Sequence, residues 1–141
     1  MPLELMRKDT EGITILTLNG RLVAGSEVTE LRGTIKTLIA DGEIRILLDM
    51  ANVHRIDSSG LGVLIEGHAS VKAAGGALKL LNLSDKGMEL LVLTRLSTLF
   101  EIYTDEQTAI NSFFPDRESR QFDILEFVKN TENEKPESEA L

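Results

Sequence analysis

The chain has 141 residues, 42% of them apolar, and carries a net charge of −8. That is enough for one well-buried core and too little for two ordinary domains. The acidic balance, with no lysine or arginine cluster interleaved with aromatics, argues against a nucleic-acid or anionic-lipid surface. Cysteine is absent and there are two isolated histidines, so no disulfide, thiolate nucleophile or zinc-thiolate site is available, and neither a metal nor another cofactor is expected.

Leu3–Lys8 and Ile13–Leu18 are apolar-rich runs separated by Asp9-Thr10-Glu11-Gly12, whose turn chemistry predicts an opening hairpin. After Gly20 and Gly25, Ser26 is placed to cap a helix. Its apolar positions Val28, Leu31, Ile35, Leu38 and Ile39 recur at helical spacing, and Asp41-Gly42 ends it. Ile44–Met50 is short, apolar and partly β-branched, which suits a strand buried on both faces. Leu61, Leu64, Ile65 and Val71 then mark one face of a second helix that stops before Gly75-Gly76.

A further strand is expected over Leu78–Leu83, and Ser84 is placed to cap a third helix over about Asp85–Leu96. Phe100–Tyr103 reads as a short strand, and Thr104 with Gln107 has the spacing of a capping box for a last helix ending near Phe114. Strands that alternate with helices in this order need long return connections, which implies parallel crossovers. The expected class is α/β: a mixed sheet with an N-terminal hairpin and parallel crossovers, covered by about four helices.

Residues 1–114 are therefore expected to form the domain and 115–141 an acidic C-terminal tail, in which acids outnumber bases two to one. The tail is expected to be largely disordered because it lacks apolar surface to offset chain ordering. Its exception is 122–128, Phe-Asp-Ile-Leu-Glu-Phe-Val, which reads as a short helix docked on its own domain or on a partner. Met1–Asp9 has no signal-peptide apolar segment, and no uninterrupted apolar run approaches the roughly 18 residues of a membrane span. A cytoplasmic location without membrane attachment is expected.

The most informative stretch is Asp57-Ser58-Ser59-Gly60-Leu61-Gly62, which joins the Ile44–Met50 strand to the second helix and puts two hydroxyls where that helix begins. Free N–H groups and the positive end of the helix dipole make such a corner favourable for a negative group, including a phosphate carried on the protein itself. Helix capping by Asp and Ser, with Gly60 easing the turn, is the plainer reading of the same residues.

With Gly75-Gly76 and the strand that follows, this stretch resembles the signature of the STAS domain family, specifically the bacterial anti-sigma factor antagonists. The resemblance spans about Leu3–Phe114. It implies that Ser58 is the phosphoacceptor, that Asp57, Ser59, Gly60, Leu61 and Gly62 form the phosphosite loop and partner contacts, and that the chain is not an enzyme. The implied partners are an anti-sigma factor that is also an ATP-dependent serine kinase, bound by the unphosphorylated protein so that sigma factor is freed, and a PP2C-type phosphatase that reverses the modification.

One departure stands out. Many family members carry an acid in a Gly-x-x-Asp pattern where this chain reads Gly20-Arg21-Leu22-Val23, which bears on the kinase contact rather than on the fold. Arg21 is either solvated or available to pair with a phosphate on Ser58. A STAS binding module that is never phosphorylated, regulating a transporter or another protein complex, is the alternative function. His68, on the Leu61 stripe, reads as a packing residue. His54 precedes Asp57 by three residues, yet with no Gly-x-Ser-x-Gly elbow a Ser58 hydrolase is disfavoured.

Overall fold

A computed structural model describes residues 3–117. The hairpin pairs β1 (Glu4–Thr10) with β2 (Ile13–Leu22) in antiparallel register, Thr10 opposite Ile13. The two-residue turn between them puts Glu11 and Gly12 both at positive φ, 55° and 81°. That is the primed geometry whose twist matches the flanking strands. Three parallel pairings follow, to β3 (Arg45–Ile56), β4 (Ala77–Leu81) and β5 (Ile102–Tyr103), so the sheet order is β1-β2-β3-β4-β5.

The crossovers are α1 (Ser26–Ala40), α2 (Ser58–Ala73) and α3 (Asp85–Leu93), and α4 (Glu106–Asn111) follows β5. The class is α/β with four helices, as the alternation of periods implies. Alternate residues of the central strands separate two cores. Leu16, Leu18 and Leu22 of β2 and Ile46, Leu48 and Met50 of β3 pack beneath α1, α2 and α3, with Leu31, Ile35, Leu64 and Leu91 among the helical contributors. Ile13, Ile15, Leu47, Leu81 and Tyr103 face the other way, under Ala109 and Ile110 of α4. β3 is thus buried on both faces over the stretch where its sequence is continuously apolar.

The second face is closed by the turn after α4. Lys79 is buried there, its ammonium donating to the Ser112 carbonyl and hydroxyl oxygens at 3.0 Å each and lying 4.5 Å above the Phe113 ring. His68 packs edge-on against Phe100 at 5.4 Å, the packing role expected of it.

Several expected boundaries move, each for a local reason. Ser26 is not the cap of α1; Gly25 holds that position, with no side-chain capping bond. α4 is capped by Asp105, which accepts from the Thr108 N–H at 2.9 Å, while Gln107 donates instead to Glu11 and Asn111. The Thr104–Gln107 capping box is therefore replaced by a cap one residue later. α3 ends at Leu93 rather than Leu96 and α4 at Asn111 rather than Phe114, and Phe113 and Phe114 pack against the second core from a turn.

β3 is the consequential difference: it continues past Met50 to Ile56. β4 pairs with it only as far as Asp49, whereas β2 stays paired through Leu22 opposite Ile56. The end of β3 therefore overshoots β4 and delivers the Ser58 corner beyond that edge of the sheet. The short helix read at 122–128 lies outside the described residues.

Leu22 has no exposed surface, and its carbonyl accepts the Asp57 N–H at 3.3 Å. Leu22→Ala removes core volume directly under the corner. A loss of about 2–5 kcal/mol is expected, read as a lowered urea midpoint with an unchanged m-value.

Candidate functional site

Asp57 sits between β3 and α2 in extended backbone (φ −103°, ψ −174°) and is the N-cap of α2. One carboxylate oxygen accepts from the Gly60 N–H at 2.9 Å and the other from the Ala24 N–H at 2.9 Å. The first bond is ordinary capping. The second ties the loop between β2 and α1 to the start of α2, two segments separated by 33 positions. The Ala24 and Gly60 N–H groups, with help from the Ser59 N–H and the Arg55 charge, hold the Asp57 carboxyl below the usual carboxylate range.

This arrangement changes the chemistry expected of the corner. The amide dipoles at the start of α2 face a carboxylate already in place, so a phosphate on Ser58 would not find the cradle empty. Ser58 is the first residue of α2 and is exposed, and no side-chain hydrogen bond holds its hydroxyl among the described residues. The structure thus brings Asp57 and Ser58 together in different roles: the acid organises the turn, and the hydroxyl points to solvent. Ser59, expected in the phosphosite loop, leaves the side-chain capping to Asp57. It is exposed and lines a groove of about 560 Å³ between α1 and α2, together with Ala24, Thr29, Arg32, Gly62 and Glu66. Arg32 and Glu66 close that groove with a 2.8 Å ion pair.

The two glycines of the motif separate cleanly. A Cβ at Gly60 would run into the Leu22 carbonyl oxygen, so a residue without a side chain is demanded by the fold. A Cβ at Gly62 meets nothing within 4 Å, and the position is exposed. Leu61, open between core and contact in the sequence, is core at 6% exposure. Arg21, at the end of β2, is exposed and stands in register beside Arg55 of β3. Val23, where the resemblance implies an acid, is half-buried.

His54 is exposed on β3, and no hydrogen bond joins it to Ser58 among the described residues. It faces a separate cavity of about 340 Å³ with Arg55 and Ile56, closed on the far side by Lys86 and Leu90 of α3. The sequence pattern does not show this cavity, because β3 runs six residues past the Ile44–Met50 stretch that marks the strand. Val53 and Ile56 were the available signal: they are apolar positions beyond the apparent stop, and both contact the main core. Among the described residues no group of three or more His, Asp or Glu side chains is arranged to hold a metal ion, and no helix is long and apolar enough to cross a membrane.

Gly60→Ala is expected to cost about 1–3 kcal/mol through overpacking. Gly62→Ala is expected to gain about 0.5–1 kcal/mol, because alanine orders more cheaply in a helix. Thermal denaturation of the two variants should move in opposite directions.

The lowered Asp57 pKa contributes stability that is fully present above the unfolded value of about 3.9 and disappears as pH falls through the folded value. Asp57→Asn keeps an oxygen for one N–H but presents an amide to the other. It should lose about 1 kcal/mol at neutral pH, and the gap to wild type should close below about pH 4. Urea titrations across pH 2–7 measure this.

A family model for the STAS domain matches residues 4–109. Among solved structures, a candidate anti-sigma factor antagonist of Thermotoga maritima superimposes with a TM-score of 0.73 at 24% identity, covering 77% of this chain and 93% of that one. The anti-sigma factor antagonist SpoIIAA of Bacillus matches in its unphosphorylated form (TM-score 0.59, 23% identity, 78% of this chain and 96% of that one) and in its phosphorylated form (0.61, 24%, 78% and 97%). A sulfate transporter family protein of Wolinella succinogenes matches at 0.61 and 23%, over 71% of this chain and 83% of that one. At these identities the likeness establishes the fold. No curated protein matches the sequence significantly.

Proposed function

The chain belongs to the STAS domain family, and we propose that it is an anti-sigma factor antagonist: a cytoplasmic binding protein, not an enzyme, switched by phosphorylation of Ser58. The observation that carries the proposal is the exposed Ser58 hydroxyl, free of internal hydrogen bonds among the described residues, on a turn whose geometry Asp57 maintains without it. A kinase can reach that oxygen without unfolding the domain. In the unphosphorylated state the protein captures an anti-sigma factor that is also a serine kinase, and sigma factor is released. A PP2C-type phosphatase resets the cycle.

Phosphorylation adds about 1.5–2 negative charges. The cap position is taken by the Asp57 carboxylate, so the new charge stands beside another anion and projects outward, where a docking partner must desolvate or repel it. A cost of about 4 kcal/mol corresponds to roughly a thousandfold in affinity, and no rearrangement of the fold is needed. Ser59, Gly62 and the groove between α1 and α2 supply neighbouring partner contacts. Gly62, which the fold leaves unconstrained, admits close backbone approach.

Arg21 and Val23 favour a second reading, in which the same surface binds a protein complex such as a transporter and Ser58 is never modified; the transporter-family match is consistent with that fold use. Phosphate separates the two. Incubation with cell extract and ATP, followed by mass spectrometric mapping, should place phosphate on Ser58. Ser58→Ala should retain the partner, and Ser58→Asp should bind it at least about tenfold more weakly. Equal binding by both variants, with no phosphate on wild type, sinks the switch.

A further inference from the structure

The net charge of this protein is −8, yet the surface next to the Ser58 corner carries basic side chains that no carboxylate pairs among the described residues. Where β3 overshoots β4 it leaves the cavity of about 340 Å³ described above. Its floor is apolar, built from Val53, Ile56 and Leu90, and its rim carries His54, Arg55 and Lys86. Arg21, outside the cavity lining, stands in register beside Arg55 on the neighbouring strand β2. None of these four groups makes an ion pair among the described residues. Arg7, Lys8, Arg32 and Arg117, by contrast, are each engaged with a carboxylate. Asp85 and Glu89 are exposed on α3 and pair with none of the four. The apolar floor also continues outward: Leu93, one turn beyond Leu90, is 80% exposed.

We propose that this basic-rimmed cavity is the docking site for an acidic segment of the partner protein that carries one bulky apolar side chain. The side chain fills the space over Val53, Ile56 and Leu90, and flanking carboxylates meet Arg55, Lys86 and Arg21. The proposal rests on the partner-switch reading and names the chemistry of the partner. Unpaired guanidinium groups beside an apolar well are suited to recognising carboxylates bidentately around a buried anchor. The strip that extends to Leu93 is larger than a small anion would need.

Phe122 of this same chain is too near Arg117 in sequence to be the apolar anchor. Arg117 stacks on Phe114, which lies against Arg45 at the opposite end of β3. Ten residue steps of strand separate Arg45 from Arg55, about 33 Å, roughly twice what the five residues from Arg117 to Phe122 span when fully extended.

The sign of the surface also accounts for the direction of the switch. An acidic partner is held by positive charge next to Ser58, so a phosphate there repels the partner's carboxylates and offers the arginines a competing anion from within the chain.

The test uses full-length ¹⁵N-labelled protein and three synthetic peptides: a phenylalanine flanked by glutamates, the same peptide with lysines in place of the glutamates, and the glutamate peptide with serine in place of the phenylalanine. The glutamate–phenylalanine peptide should shift the amide resonances of Val53, His54, Arg55, Ile56 and Leu90, and it should bind at least about tenfold more tightly than either control. Arg55→Glu combined with Lys86→Glu should cut its affinity at least about tenfold. Leu90→Ser should do likewise without changing the response to salt. The proposal is overturned if the lysine peptide binds equally well, if the charge-reversed protein binds the glutamate peptide unchanged, if the shifts map elsewhere, or if none appears at millimolar peptide. Ser58 phosphorylation is scored separately: peptide selectivity without Ser58 phosphate leaves the surface standing and removes only the switch.

Discussion

One carboxylate organises the Ser58 end of this molecule. The side chain of Asp57 binds the Gly60 N–H within its own helix and the Ala24 N–H in a distant loop, while its backbone N–H donates to the Leu22 carbonyl. Two distant chain segments, Leu22–Ala24 and Asp57–Gly60, therefore meet on one residue. Each bond is modest, about 1 kcal/mol net, but together they set where α2 begins and therefore where Ser58 stands. The same Leu22 carbonyl excludes a side chain at Gly60, so steric and electrostatic constraints converge on a single geometry.

The proposed function depends on what that geometry leaves unused. Because the acid, rather than either serine, satisfies the helix terminus, Ser58 and Ser59 have no structural task that removes them from solvent. A modification at Ser58 can then change the surface without changing the fold, which is the requirement for a switch read by a partner rather than by the domain itself. Gly62 belongs to the same category: it is open and internally unconstrained, in contrast to Gly60 two positions earlier.

The overshoot of β3 gives this end of the sheet its second feature. Past Asp49 the strand keeps β2 as a neighbour but loses β4, and the space where a further strand neighbour would lie is bounded instead by α3. The result is a cavity whose apolar floor is core-like and whose rim is basic. On a strongly acidic chain, long-range attraction to acidic partners is weak, so recognition of such a partner must come from local charge placed at short range. Arg21, in register beside Arg55, adds to that local field.

Much of the fold was legible in the sequence because periodicity reports burial directly. The hairpin, the two-sided burial of β3 through Met50, the apolar stripe of α1 and the serine cap of α3 all follow from patterns within a few residues, and so does the resemblance carried by Asp57 to Gly62. The length of β3, the second bond of the Asp57 carboxylate and the division of labour between Gly60 and Gly62 were decided by tertiary contacts. Each depends on an atom brought in from elsewhere in the chain: the Leu22 carbonyl, the Ala24 N–H, the β2 edge alongside Asn52–Ile56. A local window can show that a glycine or a carboxylate is permitted at a position; only the packed structure shows whether a distant backbone group requires it there.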